Sequence, residues 1–239
     1  MSRLSYESKT MKIVVGISIT LLLTLALWGF IYKTYPMYLD NDAIAKAAGG
    51  GLTPELEVKV RAGFLKSSLV VYVPWGMLVG LIGAMAGGIG GSKFYIRAII
   101  GLAFGAVVGV VTNYFADHYA NSWSLEGDAI QYWLIRIAGI HCLLPVVAAV
   151  VANVGHPVSE IATRLVKSVF ALFLAAITCS FLMGLVTPIE QSHWNFVRFP
   201  SNSFCLLFSI NVLIFLALAF PHSPKKGVAT KSENNSKNE

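Results

Sequence analysis

Charge is what this sequence has least of. Asp, Glu, Lys and Arg make up 13% of its 239 residues, against about a quarter in ordinary soluble domains. A soluble fold of this length needs charged residues to cover its surface, so the shortage excludes a plain water-exposed globule. Cysteine is scarce as well. The three present, Cys142, Cys179 and Cys205, all fall within apolar runs. They read as small packing residues rather than as a disulfide framework or a zinc site.

Catalytic signatures are missing too. No HExxH, GxSxG, CxxC, Walker or EF-hand spacing occurs, and nucleophile candidates inside the apolar runs have no carboxylate or base beside them. Those runs hold no Asp or Glu beyond their first residues, which argues against a carboxylate proton relay. No half-to-half inverted repeat of the kind found in secondary transporters stands out. No cofactor or resident metal is expected. The net charge of +6 raises nucleic acid as a partner, but the basic residues are scattered at run edges and in the tail, so lipid headgroups are the expected counter-charge.

What is present is length of apolar run. A helical bilayer crossing takes about 20 mostly apolar residues, and six stretches qualify or come close: Ile13–Ile31, Leu69–Ile89, Tyr95–Phe115, Ile130–Val154, Leu165–Val186 and the shorter Phe204–Phe220. They are apolar nearly all round, unlike amphipathic core helices, and do not alternate in polarity as barrel strands would. The expected fold is all-α: one polytopic helical bundle over residues 1–222, followed by a polar, disordered tail over 223–239. Arg3, Lys9 and Lys12 ahead of the first run resemble a secretory n-region. That run is longer than the roughly 7 to 15 residues of a signal core and leads into Trp28, Phe30, Tyr32, Tyr35 and Tyr38, an aromatic interface belt. The expectation is an uncleaved anchor, with a five-span mature chain as the alternative.

Six crossings would gather Arg3, Lys9, Lys12, Lys93, Arg97, Arg164, Lys167 and the tail lysines on one side, and Lys33, Lys46, Lys59, Arg61, Lys66 and Arg198 on the other. The heavier side is expected to be cytoplasmic, carrying both termini, in a bacterial inner membrane. Within the first loop, the glycines at 49–51 mark a break. Thr53, Pro54 and Glu55 then read as an N-cap, a first-turn proline and an early acid, so a helix is expected to start there and lead into the second run.

Glycine spacing is the strongest internal pattern. Gly76, Gly80, Ala84, Gly88 and Ser92 recur every fourth residue, with Gly83, Gly87 and Gly91 beside them, and Gly101, Gly105 and Gly109 repeat the device in the third run. Small residues one turn apart let helix backbones approach, and in lipid close packing must supply the attraction. A tight antiparallel hairpin of runs two and three is expected. An exposed stripe of this kind would also suit homo-oligomerisation or a membrane-protein partner.

A second pattern is a sparse polar layer: His141, Thr178 and Asn211 lie near the middles of runs four, five and six. The plainer reading is interhelical hydrogen bonding, and the sharper one a ligand or ion site, joined by Arg136 two turns into run four. Asp117, His118, Glu190 and His193 are candidate outer-face ligands, but their spacing matches no known ligand signature. The expected role is non-enzymatic: a scaffold, assembly factor or accessory subunit of a membrane complex. Two alternatives remain: a small transporter or channel using Arg136, His141 and Asn211, and a membrane-embedded enzyme acting on lipid.

Overall fold

The computed structural model describes residues 3–51, 53–88, 93–122, 143–186 and 200–219, with side chains placed for 10–46, 49–51, 53–88, 93–115, 143–158, 160–175, 177–178 and 207–219. All regular structure among these residues is helical: α1 (Arg3–Thr34), a 3-10 turn (Tyr35–Tyr38), α2 (Asn41–Ala48), α3 (Pro54–Ala86), α4 (Phe94–Ser122), α5 (Leu143–Asn153), α6 (Val158–Val186) and α7 (Pro200–Ala219). Three stretches, Thr10–Tyr38, Pro54–Ala86 and Phe94–Phe115, are long and apolar enough to cross a membrane, and Leu143–Asn153 and Leu207–Ala219 are shorter apolar helices.

Local chemistry accounts for the helix starts. Asp40 precedes α2, and its carboxylate accepts from the Ala43 backbone N–H at 2.9 Å, supplying one of the partners that a first turn lacks. The 41–48 helix was not foreseen from sequence. α2 stops at the Gly49–Gly50 turn, where Gly50 has φ +84°, a conformation that favours glycine. Thr53 caps α3 as expected, its Oγ1 accepting from Leu56 N–H at 3.3 Å, with Pro54 at the first position and Glu55 in the first turn. From there α3 runs unbroken through Pro74 to Ala86, so the lead-in from the first loop and the second apolar run form one helix.

α3 is the hub. Its most extensive partner is α4, and it also packs against α5, α7, α1 and the 3-10 turn, while α6 packs against α5 and α7. The buried core gathers Val71, Trp75, Val79 and Ile82 of α3, Leu144, Val147 and Val151 of α5, and Leu207, Ile210 and Ile214 of α7.

Glycine contacts give the helix directions. Gly76 lies against Gly105, Gly80 against Gly101 and Gly109 against Tyr72, so α3 and α4 run antiparallel. Gly83 lies against Ala148 and Gly87 against Ala152, so α3 and α5 run parallel. Gly16 of α1 lies against the Phe215 ring while Thr24 bonds to Asn211, so α1 and α7 are antiparallel. The outward faces of α1 and α4 remain uncovered and apolar, with Val14, Leu22, Leu25, Ile99, Val107 and Val111 among the exposed side chains.

Candidate functional site

Among the described residues, two buried polar constellations each link three helices. The first joins three helices at one level. Asn211 on α7 is fully buried. Its Oδ1 accepts from the indole N–H of Trp75 on α3 at 3.0 Å, and its Nδ2 donates to Thr24 Oγ1 on α1 at 3.0 Å. Trp75 and Thr24 are also fully buried. A buried amide without partners costs a few kcal/mol, so this one is retained because both of its ends are engaged. One turn away on α1, the buried Thr20 hydroxyl has no hydrogen-bond partner among the described residues. Thr20 stands between Gly16 and Thr24, completing a small-residue stripe at four-residue spacing along the α1–α7 seam.

The structure therefore places the residues expected in a polar layer unequally. Asn211 is buried and hydrogen-bonded through both its Oδ1 and its Nδ2, but to Trp75 and Thr24. Thr178 is exposed on α6. Arg136 and His141 lie outside the described residues, as do the side chains of Asp117, His118, Glu190 and His193.

The second constellation closes one end of the bundle. Arg97, in the first turn of α4, is only 8% exposed. Its Nε donates to the Val154 carbonyl at 2.9 Å, and its Nη1 donates to the Gly87 carbonyl. Gly87 is the C-cap of α3, and Val154 follows directly on α5. The guanidinium thus bridges two helix C-termini, where unpaired carbonyls concentrate partial negative charge. A buried cation would be costly alone, and here the carbonyl dipoles and two charge-assisted hydrogen bonds offset that cost. In the sequence Arg97 reads only as an orienting edge charge.

Around it lie Lys93, whose Nζ donates to the Gly155 carbonyl at 3.3 Å, and Arg164, whose Nη1 donates to His156 Nδ1 at 3.0 Å. Arg164 also pairs with Glu160 at 2.8 Å. Partial burial pushes the His156 pKa below its usual 6.5, and the neighbouring cations Arg164, Arg97 and Lys93 push the same way against Glu160. A neutral imidazole fits the geometry, since a guanidinium can donate only to an unprotonated nitrogen.

The glycine seam sets how closely the helices approach. A Cβ built on Gly101 would stand 2.5 Å from the Gly80 carbonyl oxygen, and one on Gly83 would stand 2.5 Å from that of Ala148. A Cβ on Gly87 would meet Ala152 O at 2.9 Å. Real Cβ atoms do not come that close to backbone, so any side chain at these positions would force α3 away from α4 or α5.

Compared with known proteins, the chain matches no family model, no curated protein and no solved structure.

Proposed function

We propose that this chain is a polytopic protein of the bacterial inner membrane, crossing it six times with both termini in the cytoplasm. It acts without catalysis, as a scaffold, assembly factor or accessory subunit of a membrane complex. The observation that carries this reading is where the buried polar groups go. Asn211, Trp75 and Thr24 satisfy one another, and Arg97 is spent on helix-terminal carbonyls, while the outer faces of α1 and α4 offer uncovered apolar side chains. Such an interior holds helices together, and such faces fit lipid or the helices of a membrane partner.

The helix directions support the six-span topology: α4 antiparallel to α3, α5 parallel to it and α1 antiparallel to α7 are the directions that successive crossings would produce. The engaged Asn211 amide weighs against the transporter alternative, which needs that group free for a substrate or ion.

Replacing Gly101, Gly105 and Gly109 together with Leu tests the proposal. Loss of folding and of co-migration with membrane partners on native gels is expected, and unchanged assembly would remove its basis. Flux through vesicles reconstituted with the pure protein, abolished by His141→Ala with the fold retained, would establish transport instead.

A further inference from the structure

The end of the bundle closed by Arg97 carries more positive charge than its structural bonds use. Lys93, Arg97 and Arg164 are three basic residues brought together by the start of α4 and the α5–α6 turn, and among the described residues Glu160, paired with Arg164, is the carboxylate seen beside them. Arg97 is buried and committed to carbonyls. Lys93 has a single surface carbonyl at 3.3 Å, and Gly155, which supplies it, is next in sequence to His156, itself bonded to Arg164. Lys93, His156 and Arg164 therefore rim one small patch around the turn. The depressed pKa of His156, caused in part by these three cations, reports the positive potential there.

Exposed apolar side chains neighbour these groups in sequence: Tyr95 is 76% exposed and Val158 85% exposed, with Ile96 and Val166 also uncovered. Cations beside exposed apolar side chains match the depth in a bilayer where phosphates meet acyl chains. A soluble anion would gain nothing from Tyr95 and Val158, whereas a phospholipid brings a phosphate and a hydrocarbon chain to the same place.

We propose that the patch formed by Lys93, His156 and Arg164 seats the phosphate of an anionic phospholipid headgroup, with the acyl chains passing over Tyr95 and Val158. The site rests on the membrane reading above and adds to it a selective lipid.

The test uses the full chain purified in a neutral detergent, with phosphatidylglycerol and phosphatidylcholine as probes and with lipid retention by native mass spectrometry and the Tm shift as readouts. Phosphatidylglycerol is expected to bind about tenfold more tightly than phosphatidylcholine, and Lys93→Gln with Arg164→Gln to abolish that preference, since both cations favour an anionic headgroup. Lys46→Gln with Lys59→Gln removes the same charge from the last turn of α2 and the start of α3 and should leave the preference intact. Lys93→Gln alone, which loses one surface bond, provides a variant expected to fold and to show part of the loss.

Equal binding of the two lipids, or equal loss in the charge-matched control, would overturn the site. Full competition by excess inorganic phosphate would overturn the lipid assignment in favour of a soluble anion. A chain that needs detergent yet shows no lipid preference defeats this site alone, whereas a chain that stays dissolved without detergent defeats the membrane reading beneath it.

Discussion

Gly80 and Gly101 face each other across α3 and α4 with their backbones in contact, leaving no room for a methyl group on either. Gly80→Ala or Gly101→Ala should therefore destabilise the fold by about 2–3 kcal/mol, the usual scale for overpacking. Gly29 of α1 has nothing within 4 Å of a built Cβ. Gly29→Ala should instead stabilise by about 0.5–1 kcal/mol, through helix propensity. Thermal unfolding in detergent compares the three, and similar effects at all positions would contradict the seam.

The Asn211 amide predicts a graded loss. Asn211→Leu strands the Trp75 indole N–H and the Thr24 hydroxyl and should cost about 1–3 kcal/mol, whereas Thr24→Val, which removes one bond, should cost about 1 kcal/mol. The double variant should cost less than the sum, because the two residues share a bond. Strict additivity in a double-mutant cycle would mean that the bond contributes nothing.

Arg97 holds two helix ends with one guanidinium. Arg97→Gln should lower stability by about 3 kcal/mol, because it leaves the Gly87 and Val154 carbonyls without their charged partner. Arg97→Lys should recover only part of this, since an ammonium lacks the planar fork that reaches both carbonyls. Full rescue by Lys, read as Tm, would show that charge alone matters there.

His156 predicts a pH dependence with a definite sign. Its pKa is lower in the fold than its usual 6.5, so between the two values the unfolded chain binds more protons. Its contribution to stability is complete above about pH 6.5 and is lost as the pH falls from there through the folded value. His156→Gln should flatten the Tm profile across this window, and a wild-type Tm that rises on acidification would contradict the assignment.

The glycine seam was legible in part. Four-residue spacing announced that Gly76, Gly80, Gly101, Gly105 and Gly109 would form stripes, because the helical repeat puts such positions on one face. It could not say that Gly83 and Gly87 turn instead to Ala148 and Ala152 of α5, since spacing defines a face and not its partner. The same spacing in Gly16, Thr20 and Thr24 passed unread because two of its members are threonines.

Asn211 was visible as an amide in an apolar run, but its partners lie 136 and 187 residues away in sequence, and local pattern carries no information at that range. Arg97 was counted as an edge charge because a tally of loop cations ignores depth. Its burial follows from the ending of α3 and α5 beside the start of α4, a tertiary fact. The α2 helix was hidden by its shortness, although Asp40 ahead of Ala43 and Ile44 was a readable cap.

On the proposed membrane reading, hydrocarbon surrounds the uncovered faces of α1 and α4. Alkaline carbonate extraction of membranes containing the full chain, followed by high-speed sedimentation, puts this to the test. The protein should remain in the pellet and enter the supernatant only when detergent is added. Recovery in the carbonate supernatant as a dissolved monomer would contradict the claim.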